Sequence, residues 1–529
     1  ERKRPMRAST GLGLIAIISL FACGTSVGTD SESRDDEGAG NTTSSDPNSP
    51  AGDPTNPEKA PSLLATNIAI TEVAVFQAVK VPVVKNGTYV AKSKRNAPVV
   101  ANRPGMIRVY VKPGDGWTTR ELTAELRLVA GDKKYPIIRE TKKISGASKD
   151  EDTKTTFNLS FPADQLPTDV TFQVVLTAAD GTKPGTEDNP ARFPLDGSFQ
   201  TLDAQATGKV KIVLVPIQYD ADGSGRTPDL GEAQLSRYRQ TFMQRYPTTE
   251  VQLTKHAPYP WPTRISGNGS GFSNVLRAMM QLRQRERVAD DVYYYGLFNP
   301  ASSMAAFCQS GCVAGLSSVP DEEDAMLRAS VGLGFLGQDS ADTMAHEVGH
   351  AHGREHAPCG GPQGVDRNYP YSQAQIGVWG YDIFDKTFIS PTRGRDMMGY
   401  CPNVWVSDYT YNGLFERIVS LTTDRTTKTR SEETTAQKHG TRYRIASVGM
   451  SGELSWDADS DIELDDEMHG GTVVPARFLS ANGVELTTRS VRFVPFDHLP
   501  GGFLFVPDEP GISWKKLRID GYAHELARP

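Results

Sequence analysis

Residues 346–356 read HEVGHAHGREH, and four of the chain's nine histidines fall inside these eleven positions. His346 and His350 are four apart, so a helix sets them one turn above the other on a single face. Two imidazoles at that spacing can reach one zinc ion. Glu347, beside the first histidine, projects next to the metal and can act on a bound water. Gly353 permits a sharp exit from the helix at positive φ, which brings His356 to the same ion. Three neutral imidazoles leave the fourth position of a tetrahedral site open, as a catalytic zinc requires. His352, two residues past His350, points away from the metal face and is expected at the solvent-exposed surface.

The string resembles the H-E-x-x-H-x-x-G-x-x-H pattern of the metzincin clan of zinc peptidases, with matches at His346, Glu347, His350, Gly353 and His356. The extended pattern is much more specific than a bare H-E-x-x-H. Downstream, RDMMGYCP (395–402) resembles the clan's Met-turn. Met398 would form the apolar floor beneath the metal; Met397 is the other candidate, and the Met-x-Tyr spacing selects Met398. Tyr400 resembles the tyrosine that in some members contacts the metal or steadies the transition state; the alternative is a buried structural tyrosine. The resemblance implies Zn2+ as cofactor and hydrolysis without a covalent intermediate, Glu347 serving as general base and then general acid. It also implies an order of strand, helix, strands, edge strand and active-site helix. GCVAGLSSV (311–319) resembles the antiparallel edge along which an extended peptide substrate docks.

Cys308, Cys312, Cys359 and Cys401 form an even set within this region, and three pairings are available. The resemblance implies that the segment after the third ligand and the Met-turn converge beneath the metal. On that basis Cys359–Cys401 and Cys308–Cys312 are the favoured pairs. The alternatives are free buried thiols, or Cys359 as a fourth metal ligand.

At 529 residues the chain exceeds what one hydrophobic core organises. The formal net charge of -7 and the absence of a long basic run exclude nucleic acid as an expected partner. The N-terminus carries Arg2, Lys3, Arg4 and Arg7 before the apolar run GLGLIAIISLFA, which is too short to span a bilayer. It ends in Leu20-Phe21-Ala22-Cys23, which resembles a bacterial lipobox and implies a signal peptide over 1–22 with lipid attached at Cys23. The expected location is therefore outside the cytoplasm, as a cell-envelope lipoprotein on the outer membrane or cell surface, or a released form of it. Residues 23–65, poor in aromatic and large aliphatic side chains, read as a disordered tether.

The rest reads as a multidomain α+β chain. Short Val-, Thr- and Phe-rich segments such as IAITEVAVFQAV, punctuated by Asn86-Gly87 and Asp180-Gly181, suggest a β-sandwich-like domain over 66–207. Apolar KVKIVLVPIQY opens a metzincin-like mixed α/β domain over 208–425. Its first helix would start from a capping box at Asp229–Glu232, its second would cover about 271–287, and its third would be capped by Asp339 or Ser340. A polar linker (426–440) leads to a smaller β domain, also sandwich-like, over 441–529. Asp220, Asp222 and Ser224 suit a strand-to-helix turn better than a calcium loop. Tyr369–Ser372 and Trp379 either line a substrate pocket or are ordinary packing.

The reading is a zinc-dependent endopeptidase acting on protein or glycoprotein substrates, membrane-anchored through Cys23. The alternative is an exported binding or adhesion lipoprotein whose zinc site is structural or vestigial.

Overall fold

The computed structural model describes residues 63–183, 188–309, 311–431, 441–449, 451–464, 468–509 and 511–529. The expected signal peptide with Cys23, nearly all of the expected tether and residues 432–440 of the expected linker lie outside the described residues.

Two antiparallel sheets form the first unit. One is built on Ile68–Phe76 and Gly105–Pro113, the other on Arg120–Ala130 and Thr171–Thr177. Alternation with period two turns Val73, Val75, Ile107 and Val109 of one sheet towards Leu122, Leu126, Phe172 and Val174 of the other. This core does not stop at the sandwich. Ile376, Trp405, Val406, Tyr411 and Phe415, all from the following unit, are part of it. Trp379 packs beside Phe76 and Tyr381 in a neighbouring cluster, so its role is packing rather than pocket lining. Arg103 is fully buried between the units, where only a satisfied guanidinium is tolerated. It donates to Thr248 O at 2.6 Å, to Gln77 O at 3.0 Å, and to Met243 O.

Glu125 lies buried on the second sheet. Burial pushes its carboxyl up, but hydrogen bonds from Arg127 (2.7 Å) and Arg139 (2.9 Å) outweigh that and hold it below the usual carboxylate range. A pKa depressed on folding adds stability above the unfolded value, and that stability is lost as pH falls through the folded one. Thermal unfolding followed by circular dichroism should therefore fall less steeply with acidification in Glu125→Gln than in the parent, below about pH 4.5. Parallel profiles for the two proteins would rule out this contribution.

The second unit is a mixed sheet in the order 251–255, 210–219, 292–298, 329–333, 315–317, with 259–261 also pairing on 210–219. All its pairs are parallel except the last. There the edge strand Gly315–Ser317 runs antiparallel to Ala329–Leu333, with Leu316 opposite Val331. Helices Glu232–Arg245, Phe272–Glu286 and Gln338–Ala351 cover the faces. The starts of the first and third differ from expectation. The first helix has Gly231 as its N-cap, because Asp229 turns back to accept from Gly231 N at 2.8 Å. The third has Gly337, because Ser340 is inside the helix and donates to Leu333 O at 2.9 Å. Helix Asp408–Ser431 runs through the first part of the expected linker: polar residues with no Gly or Pro do not break a helix.

The last unit departs from a sandwich. It is one seven-stranded antiparallel sheet whose ends approach each other, Trp456 Nε1 donating to Ala527 O at 2.5 Å. Twist accumulating across seven strands lets a single sheet curl over its own core, formed by Ala446, Phe478, Leu504 and Trp514. The opposite face is also apolar. Ile445, Phe503 and Phe505 point that way and pack with Phe272, Met326 and Leu327 of the second unit. Asp324 reinforces the junction by accepting from His469 N (2.9 Å) and Gly470 N (2.6 Å).

Candidate metal centre

Helix Gln338–Ala351 presents His346 and His350 on one face, with Glu347 beside them. The helix ends where Gly353, at φ 81°, lets the chain turn back. His356 then lies across from the first two rings. His350 Nε2 is 3.0 Å from His346 Nε2 and 3.1 Å from His356 Nε2. Each Nδ1 faces a backbone carbonyl: Met397 O at 2.6 Å, Arg354 O at 2.6 Å and Gln363 O at 2.5 Å, respectively for His346, His350 and His356. A carbonyl can only accept, so each Nδ1 carries the proton and each Nε2 carries a lone pair. Three lone pairs aimed at one point repel one another unless a cation lies between them. Four ligands at zinc distance around a tetrahedron stand about 3.3 Å apart, close to the spacing here. The donor set therefore fits a divalent metal, and carbonyl acceptors on the far nitrogens are the usual support for such ligands. Burial holds the imidazoles of His346 and His350 far below their ordinary range and that of His356 at about 3, which keeps all three neutral.

The turn that carries Met398 packs against this helix. Met398 Sδ presses so close to Gly349 that a Cβ there would stand 2.7 Å away, so a larger residue would push the methionine aside. Asp396, fully buried, fixes the turn by accepting from Met398 N (2.9 Å) and Ser407 N (2.8 Å). Ala357 N donates to Met398 O at 3.0 Å and Tyr400 N to Cys359 O at 2.9 Å. Those two bonds bring the third ligand's segment alongside the turn. Cys359 and Cys401 are joined there, and Cys308 is joined to Cys312. A disulfide sulfur is not a thiolate, so Cys359 is unavailable as a fourth ligand. Tyr400 OH lies 3.0 Å from His356 Nε2.

Glu347 is buried against the edge strand. A Cβ at Gly315 would come within 2.4 Å of Glu347 Oε1, so only glycine leaves room for the carboxylate. Desolvation pushes that carboxyl up to about 8, and a hydrogen bond with Asp497 opposes the shift.

Two groups at the centre were not legible as site residues. His498 and Asp497 belong to the last unit, yet His498 Nε2 stands 2.8 Å from Glu347 Oε1 and its Nδ1 hydrogen-bonds Tyr400 OH. Asp497 Oδ2 lies 3.4 Å from His350 Nε2. His346, His350, His356 and His498 together form a possible metal-binding cluster. No spacing rule connects positions so far apart in sequence; only the docking of the curled sheet does. His352 is a correction in the other direction. It is buried, stacked on Tyr293 with ring centroids 4.1 Å apart, its Nδ1 bonded to Val348 O at 2.7 Å. It does point away from the metal, but into the core instead of solvent. Tyr371 donates to Asp408 at 2.7 Å and Tyr369 to Gln375 O at 2.9 Å, so both are tied down as packing. In the Asp220–Gly225 segment, Asp222 accepts from Ser224 N at 3.1 Å and pairs with Arg226, which makes it a turn.

Residues 326–402, which span helix Gln338–Ala351, His356 and Met398, match the Peptidase M66 family model. No curated protein matches the chain. Among solved structures, metalloproteinase-II from Bacteroides fragilis is 14% identical, with 59% of this chain and 82% of that chain covered, at a TM-score of 0.24. A likeness that weak carries no argument about fold or activity. The family match, taken with a histidine cluster able to bind a metal, supports a metal-dependent peptidase.

Proposed function

We propose that the chain is a zinc-dependent endopeptidase of the metzincin type, exported and anchored through Cys23. The observation that carries the reading is the convergence of three Nε2 atoms, each fixed in the metal-binding tautomer, next to a buried glutamate. When bound by His346, His350 and His356, zinc would polarise the scissile carbonyl and acidify the attacking water. Glu347 takes the water's proton on Oε1 and returns it to the leaving amine. Its burial raises its proton affinity, which suits a group that must both accept and donate. Tyr400 holds its hydroxyl at the rim of the cluster, where it can donate to the oxygen on which charge develops. The edge strand Gly315–Ser317 offers backbone groups to an extended protein or glycoprotein segment. Export agrees with the two disulfides, which need an oxidising compartment.

The purified chain should hold one equivalent of zinc by elemental analysis, and His350→Ala should lose it while staying folded by circular dichroism. Cleavage of a mixed protein and glycoprotein panel should stop on chelation and return with zinc. A folded parent that takes up no zinc on reconstitution would remove the basis of the reading.

A further inference from the structure

The strands Glu485–Pro495 and Gly502–Pro507 of the curled sheet are joined by a short loop, closed by Phe496 N donating to Gly501 O at 3.1 Å. Phe496, Asp497 and Leu499 of this loop are buried, and Pro500 is exposed at its tip. Phe496 forms an antiparallel bridge with Ser318, Asp497 N donates to Ser317 O at 3.3 Å, and Ser317 N donates to Asp497 Oδ1 at 3.0 Å. The N–H and C=O that Ser317 of the edge strand would offer a peptide substrate are thus paired with the chain's own Asp497. One residue further on, His498 lies against the rings of His346, His350 and His356, with centroids 5.1, 5.7 and 5.1 Å away. Its two nitrogens engage Glu347 and Tyr400, the two groups that the proposed mechanism reserves for water and substrate. Asp497, fully screened from solvent, sets a carboxylate oxygen near His350. Leu499 fills the space above Gly269, where a Cβ would lie 2.6 Å from its Cδ2.

Resting on the reading of the site as a peptidase centre, we propose that the loop Phe496–Gly501 is a built-in substrate mimic that keeps the enzyme latent until it is displaced. Its backbone takes the substrate's place on the edge strand. His498 takes the place of the water and carbonyl beside Glu347 and Tyr400. A structural role alone would not explain why one residue occupies the base, the tyrosine and the open face of the cluster together. Because the loop comes from a domain held by a broad apolar face, opening requires movement or removal of that loop, and not merely a side-chain rotation.

The test uses the full chain loaded with cobalt in place of zinc, and acetohydroxamate as a small metal-directed probe, followed by visible absorption. A ligand that binds only the open state has its affinity reduced by the open fraction. His498→Ala should therefore bind the probe about tenfold or more tighter than the parent. Asp497→Ala, which frees Ser317 N but keeps the backbone bond to Ser317 O and the imidazole, should fall between them and covers the case in which the first variant does not fold. Hydrolysis of a protein substrate should rise in the same order. Equal probe affinity in parent and folded variants would overturn the latency while leaving the peptidase reading intact. Failure of every form to bind cobalt would overturn both.

Discussion

Glutamine in place of Glu347 should leave zinc content unchanged and lower the rate of protein hydrolysis by roughly 10²–10⁴-fold, the usual cost of losing a positioned acid–base group. The carboxylate is buried beside the cluster, where glycine at 315 makes room for it. Glutamine matches it in volume but cannot hold a transferable proton. The comparison belongs in the His498→Ala background, so that a closed site is not mistaken for a missing base. Rates within about threefold of each other, with zinc equal, would show that Glu347 is not the base.

The second large effect concerns the Cys359–Cys401 link. It closes a loop of sequence separation 42, and chain-entropy arguments give it a stabilising effect of about 4 kcal/mol. That loop contains His356's carbonyl acceptor at Gln363 and ends at the Met-turn, whose Met397 carbonyl orients His346. Replacing both cysteines by alanine should lower the unfolding midpoint of this unit and weaken zinc binding together, because two of the three ligands lose fixed acceptors. The measurements are denaturant unfolding and competition with a zinc chelator. A stability change under about 1 kcal/mol, with zinc affinity unchanged, would mean that the two backbone bonds from Ala357 and Tyr400 hold the turn without help.

How much of the centre the sequence disclosed depended on how local each contact is. His346, Glu347 and His350 were legible because helix geometry alone puts them together, and Gly353 signals the turn that adds His356. Met398 and Tyr400 needed a resemblance, since nothing in the spacing says that a segment some forty residues on must pass beneath the helix. Asp497 and His498 were illegible for a physical reason. Their approach is set by a sheet with two apolar faces docking on another unit, and neither face announces its partner. His352 was misjudged because burial followed from Tyr293 on a separate strand, not from its own place on the helix. The curled third unit was read as two layers because alternating strands look the same whether their second apolar face meets another sheet or another domain.

The sandwich and the metal-bearing unit share one core, with Trp405 and Tyr411 filling it from one side and Val73 and Ile107 from the other. A boundary near residue 207 is therefore a boundary of chain tracing, not of energy. Residues of the first unit are tied to the segment after Met398, since Trp405 donates to Ala78 O at 2.9 Å. Substitutions in the first unit should then be felt at the turn far from them. The two stretches should drift as one inherited piece rather than be shuffled separately.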